Sequence, residues 1–172
     1  MRNRWERAST LTINTRRALV VRGGWDGHQP VAISDGFVRF LKEQGFVVET
    51  SEDLTVYEDA ERLAATDLVV QCWTMGTITP RQRDNLAAAV RAGTGLAGWH
   101  GGIVDCFHDH GYHLLTGGKF VMHPPGHLDH GYEIVPERAG HPVVAGLDDF
   151  TLPSEQQRRR GERGQAGRRP GR

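Results

Sequence analysis

Gly95-Leu96-Ala97-Gly98-Trp99-His100-Gly101-Gly102 joins a short apolar run to a histidine held between glycines. The apolar run Leu96–Trp99 has the length and character of a buried strand, and it stops at Gly-His-Gly-Gly. Glycines on both sides of His100 permit positive φ and close backbone approach, which a sharp strand-to-helix turn needs. The segment therefore has the shape of a nucleophile elbow, with an imidazole where Ser or Cys would stand. Five more histidines follow by His127, and His130 makes seven between 100 and 130.

Working outward, the same strand-then-turn pattern recurs upstream. Ala18–Val21 is a short apolar run that breaks at Arg22-Gly-Gly-Trp25-Asp-Gly-His28. Pro30 suits the first turn of a helix whose apolar face is Val31, Phe37, Val38, Phe40 and Leu41, ended by Gly45. Phe46–Val48 reads as a second strand, Asp59–Ala65 as a short helix, and Leu68–Cys72 as a third strand running into Trp73-Thr-Met-Gly. Thr79-Pro80-Arg81-Gln82 is a capping-box start with Pro at N1, and its helix ends at Gly93. Four strands alternating with helices through short connections predict an α/β fold, a mostly parallel doubly wound sheet of flavodoxin-like topology. Ligands of such sheets bind outside the carboxyl ends of the strands, so His28, Trp73 and His100 are expected at one edge.

Past Cys106 the pattern is weaker. His108–His113 reads as a short helix or an irregular loop, and its three histidines as a solvated surface cluster. Gly117–Met122 reads as a strand, His123–His130 as a loop because of Pro124, Pro125 and Gly126, and Tyr132–Val135 as an outer strand. Phe150–Leu152 begins another.

The formal net charge of zero conceals an uneven distribution. Residues 1–17 carry five Arg against one Glu, and residues 158–172 carry seven Arg against one Glu. The 140 residues between them hold nine basic and nineteen acidic groups together with all nine histidines. An acidic, histidine-rich body argues against a nucleic-acid groove and favours a neutral or cationic ligand, or a metal. Two cysteines without CxxC spacing point to a reducing, cytoplasmic setting, and no run is apolar enough for a membrane span. Residues 1–17 are expected to be a disordered arm, 18–155 the single α/β domain, and 156–172 an Arg/Gly tail unable to fold by burial.

Taken together, the motifs amount to a resemblance. Arg22-Gly-Gly-Trp-Asp-Gly-His-Gln-Pro, Gln71-Cys-Trp-Thr-Met-Gly, Gly95–Gly102, Gly117-Gly-Lys-Phe with His123-Pro124, His141-Pro-Val-Val-Ala-Gly-Leu and Ser154-Glu155-Gln156 form an ordered series. The series resembles the ThuA-like, trehalose-utilisation family over about Ala18–Gln156. That family is similar in fold to the class I glutamine amidotransferases. The resemblance implies carbohydrate metabolism, a small-molecule sugar substrate and a sugar oxidoreductase as metabolic partner; a homo-oligomer is a further expectation. His28, Trp73, His100, His123, His141 and Glu155 fall in family motifs, whereas His108, His110 and His113 do not. From Gln156 the chain departs from the family pattern as a frameshift would make it, so the domain is expected to be incomplete.

Three chemistries meet these residues. Glutaminase chemistry needs a thiol at the elbow and is rejected, because His100 stands there. A divalent metal such as Zn would take His28, His100 and His123 as ligands and leave a position for water. Metal-free acid–base work would use His100 and His123 to move protons and Glu155 to orient or share them. Trp25, His28, Trp73, Trp99 and Gly101 are the expected substrate contacts, aromatic faces being suited to the apolar faces of sugars. Each has a plainer alternative: His28 in an Asp-Gly turn, Trp73 as a core indole, His100 as a hydrogen-bonded structural residue. A non-catalytic sugar-binding or partner-binding module with the same pocket is the competing function.

Overall fold

The computed structural model describes residues 15–155 together with 158–159. The expected N-terminal arm up to residue 14, and most of the Arg/Gly tail, lie outside the described residues. Chain contacts divide the protein into two compact units at Gly117/Gly118.

The first unit is a parallel sheet of four strands in the order β2-β1-β3-β4. Its strands are β1 (Arg17–Gly24), β2 (Val47–Ser51), β3 (Leu68–Thr74) and β4 (Gly95–Gly98). Strand β1 pairs with β2 from Arg17↔Val47 and with β3 from Ala18↔Leu68, and β3 pairs with β4 from Leu68↔Gly95. This is the parallel α/β architecture of flavodoxin-like and glutamine-amidotransferase-like proteins. Because the chain winds one way from β1 to β2 and the other way from β3 to β4, a crevice opens where β1 and β3 end.

Period-two alternation sends side chains of each strand to opposite faces, and both faces are covered. Leu19, Val21 and Val69 enter a core with Tyr57, Leu63, Leu86, Phe107 and Tyr112. Ala18, Val20 and Val70 face the other way, against Leu41 and Val38 of α1 (Pro30–Glu43). The larger core is closed by α2 (Ala60–Ala64) and α3 (Pro80–Ala92). The capping box of α3 forms as its sequence predicts: Gln82 N donates to Thr79 Oγ1 at 3.2 Å and Thr79 N to Gln82 Oε1 at 2.9 Å. Gly93 ends α3 at φ 122°. After β4 come α4 (Gly101–Val104) and α5 (His110–Thr116), the latter capped by Asp109, whose carboxylate accepts from Tyr112 N at 2.8 Å. Burial alone would raise the Asp109 carboxyl, but this amide and the Arg83 guanidinium hold it below the usual carboxylate range. His108 and His110 are exposed, as a solvated cluster would be.

The second unit is antiparallel. Strand β6 (His127–Tyr132) pairs with β7 (Phe150–Glu155) from His127↔Glu155 to Tyr132↔Phe150, and β5 (Phe120–Met122) pairs with β8 (Arg158–Arg159). Two expectations need correction here. The loop ends at Gly126 and does not reach His130, and the outer strand ends at Tyr132 instead of starting there. Pro124, Pro125 and Gly126 break only their own positions, while the residues from His127 onward have free amides that β7 takes up. No helix among the described residues is long and apolar enough to cross a membrane.

Candidate functional site at the carboxyl edge of the sheet

Strand β1 ends in two glycines because nothing larger fits. A Cβ on Gly24, at φ 82°, would lie 1.9 Å from the Thr74 carbonyl oxygen. That close approach lets Trp25 N donate to Thr74 O at 3.0 Å, which fastens the first loop to the end of β3. A 3-10 turn, Asp26–His28, follows, and Gln29 in the left-handed region at φ 45° redirects the chain into Pro30 at the start of α1. His28 is thereby set over the end of β3, with its Nδ1 2.9 Å from the Thr74 hydroxyl.

His100 arrives from the other side of β3. Its φ of 50° and ψ of −142° are foreign to a residue with a Cβ, so the turn after β4 is strained as an elbow must be. The flanking glycines are sterically required. A Cβ at Gly98 would meet Gln71 O at 2.7 Å, one at Gly101 would meet His28 Cε1 at 2.6 Å, and one at Gly102 would meet Cys72 Cα at 3.1 Å. The two imidazoles come together edge to face, ring centroids 5.0 Å apart, and Trp25 sets its edge to His28 at 4.8 Å. Beside them is a cavity of about 320 Å³, lined by His28, Gln29, Cys72, Thr74, Trp99 and His100, among others. Trp99 is held by stacking on Phe37 of α1, centroids 4.3 Å apart.

Of the residues expected at the site, Trp25, His28, Trp99, His100 and Gly101 are gathered here. Trp73 is not. Strand alternation turns its indole to the opposite face, where it packs on Gly23 and Gly76 and against the larger core. Cys72 and Thr74 share the cavity face instead, and the same parity, counted from Val70, could have found them in the sequence. His123 and Glu155 belong to the second unit and meet each other there, Nε2 to Oε1 4.0 Å, with His123 Nδ1 3.2 Å from Pro124 O.

Beneath the elbow a buried polar network ties β3 to the segment after it. Tyr57 OH donates to Gln71 Oε1 at 2.8 Å, and Gln71 Nε2 donates to Cys106 Sγ and to Tyr112 OH, each at 2.9 Å. Tyr112 OH donates to Ile103 O at 2.9 Å, and the Cys106 thiol to Gly102 O at 2.8 Å. Burial pushes the Cys106 thiol up to about 12, and both tyrosine hydroxyls are raised by the same cause. Burial also raises Cys72, with the Arg22 guanidinium opposing it. Both thiols are held in the protonated form by burial.

The first unit supplies two imidazoles where a catalytic zinc site takes three protein ligands. Among the described residues no three His, Cys, Asp or Glu side chains converge as a metal set. Within the first unit the described imidazole donors at the cavity are these two, and no step is derived through a metal. What the pair can do is hold an oxygen of a ligand and move a proton at it, with Trp99 in the cavity wall.

The sequence pattern of the ThuA family, described as trehalose utilisation, matches residues 17–163. Among solved structures, a ThuA-like protein from Bacteroides uniformis ATCC 8492 superposes with a TM-score of 0.63 at 22% identity, covering 84% of this chain. The chain spans 61% of that protein's length. SulA from Pseudomonas aeruginosa matches with a TM-score of 0.32 at 16% identity, over 49% of this chain and 71% of its own, too little to carry an argument. Among curated proteins no relative matches the chain.

Proposed function

The chain belongs to the ThuA family, described as trehalose utilisation, and from that premise we propose that it acts on a sugar or sugar derivative in the cavity beside His28 and His100. The reaction is proton transfer at a ligand hydroxyl or carbon, by the imidazoles and without a thiol. The observation that carries this reading is the pairing of two histidines from separate loops, one of them on a strained elbow, beside a cavity with an aromatic wall. Strain of about 1–3 kcal/mol at a single residue persists only where the surroundings over-determine it, and such residues cluster at functional sites. Trp25 and Trp99 offer faces for a sugar ring. His123 and Glu155 form a second proton-handling pair in this reading. Two unpaired, buried thiols suit a reducing, cytoplasmic setting, with a sugar oxidoreductase as metabolic partner.

The test pairs binding with turnover. Purified protein is screened by thermal shift and calorimetry against mono- and disaccharides and their oxidised derivatives, and binders are incubated and followed by NMR. His100→Ala and His100→Asn should abolish turnover while ligand affinity stays within about threefold. Loss of affinity without any turnover in the parent protein would identify a binding module instead.

A further inference from the structure

The contact between His28 and Thr74 settles more than the position of a ring. Thr74 is the last residue of β3, 2% exposed, and its hydroxyl lies 2.9 Å from His28 Nδ1. Among the described residues that nitrogen is the hydroxyl's one hydrogen-bond partner. A threonine hydroxyl carries one proton and two lone pairs, and a neutral imidazole has one N–H and one bare nitrogen. If Nδ1 carried the proton it would donate to Thr74, and the hydroxyl proton would be buried without an acceptor. If Nδ1 is bare, the hydroxyl donates to it and the hydroxyl proton has its acceptor. Leaving a buried donor unsatisfied disfavours the first arrangement by roughly five- to a hundredfold.

We infer that Thr74 is a positioning residue that holds His28 in the Nε2–H tautomer, making His28 a hydrogen-bond donor to the ligand and leaving His100 as the proton acceptor of the pair. The division of labour rests on the reading of the cavity as a sugar-handling site, but the tautomer does not. In a neutral imidazole the nitrogen engaged by the neighbour dictates which nitrogen faces outward with a proton. His28 then offers its N–H to a ligand oxygen, and a proton leaving a ligand hydroxyl or carbon goes to His100.

The experiment is nitrogen NMR of protein labelled in its histidine rings, at about pH 8.5 where ordinary imidazoles are neutral. His28 signals are identified by their disappearance in His28→Gln. In the parent protein Nδ1 should show the shift of a bare ring nitrogen and Nε2 that of a protonated one. Thr74→Ser should keep that pattern and Thr74→Val should collapse it towards an average of the two tautomers. A protonated Nδ1 in the parent protein overturns the inference, and so does an unchanged pattern in Thr74→Val. Because the parent spectrum alone decides the tautomer, a variant that fails to fold leaves the test intact. Failure of the sugar screen with the expected tautomer present would sink the proposed function and not this assignment.

Discussion

A Cβ at position 101 would lie 2.6 Å from Cε1 and 3.1 Å from Nδ1 of His28, so the absence of a side chain on Gly101 is what lets the two histidine loops close on each other. Gly101→Ala must therefore push the His28 ring off the Thr74 hydroxyl. Overpacking of this kind costs about 1–3 kcal/mol, part of which the helix preference of Ala offsets. The expected outcome is a drop in turnover of tenfold or more with a small change in melting temperature. Unaltered kinetics in a Gly101→Ala protein would mean that His28 is not held where the site needs it.

The backbone at His100 is expected to set stability against function. His100→Ala and His100→Gly both remove the imidazole, but only Gly is at ease at φ 50°. The Gly variant should be more stable than the Ala variant by about 1 kcal/mol, with neither turning over ligand. Denaturant midpoints measure the difference. Equal midpoints would show that the elbow stores no strain.

Gln71 is fully buried, and Tyr57 OH donates to its side chain. Gln71→Leu keeps the volume and leaves the Tyr57 hydroxyl without that acceptor, which should lower stability by about 1–3 kcal/mol. Gln71→Leu combined with Tyr57→Phe should recover the part of that loss owed to the Tyr57 hydroxyl, while the Nε2 bonds to Cys106 and Tyr112 stay lost. A double variant no better than the single would show that the Tyr57–Gln71 bond is not what the network contributes.

Cys106 makes the fold sensitive to alkali. Burial raises its thiol from an ordinary 9.0 to about 12, so the folded protein keeps a proton that the unfolded chain loses. Stability from this group is complete below pH 9 and is lost as pH rises towards 12, on the order of 4 kcal/mol in all. Urea midpoints should fall over that range, and less steeply in Cys106→Ala. In the native protein Cys106 should also resist iodoacetamide at pH 8 and react only on unfolding. Rapid alkylation of Cys106 in the folded state would contradict its burial.

The sequence was enough to place the main strands and helices from β1 to β4 in order, while the helix at His110–Thr116 stayed open as helix or loop. Apolar runs bounded by glycine placed β1, β3 and β4, and Thr79-Pro80-Arg81-Gln82 placed the start of α3, because capping and turn chemistry act between residues close in the chain. The His100 elbow was legible for the same reason. Tertiary structure alone decided which side chains share a face of the site. Trp73 carries the larger and more suggestive ring, yet alternation along β3 hands the cavity to Cys72 and Thr74 and turns the indole into the core. Partner choice in the second unit was equally out of reach, since β6 is a strand only because β7 returns, from Phe150 onward, to take up its backbone. The contact of His28 with Thr74 and the pairing of His28 with His100 depend on distant segments meeting in space, which local sequence periodicity does not encode.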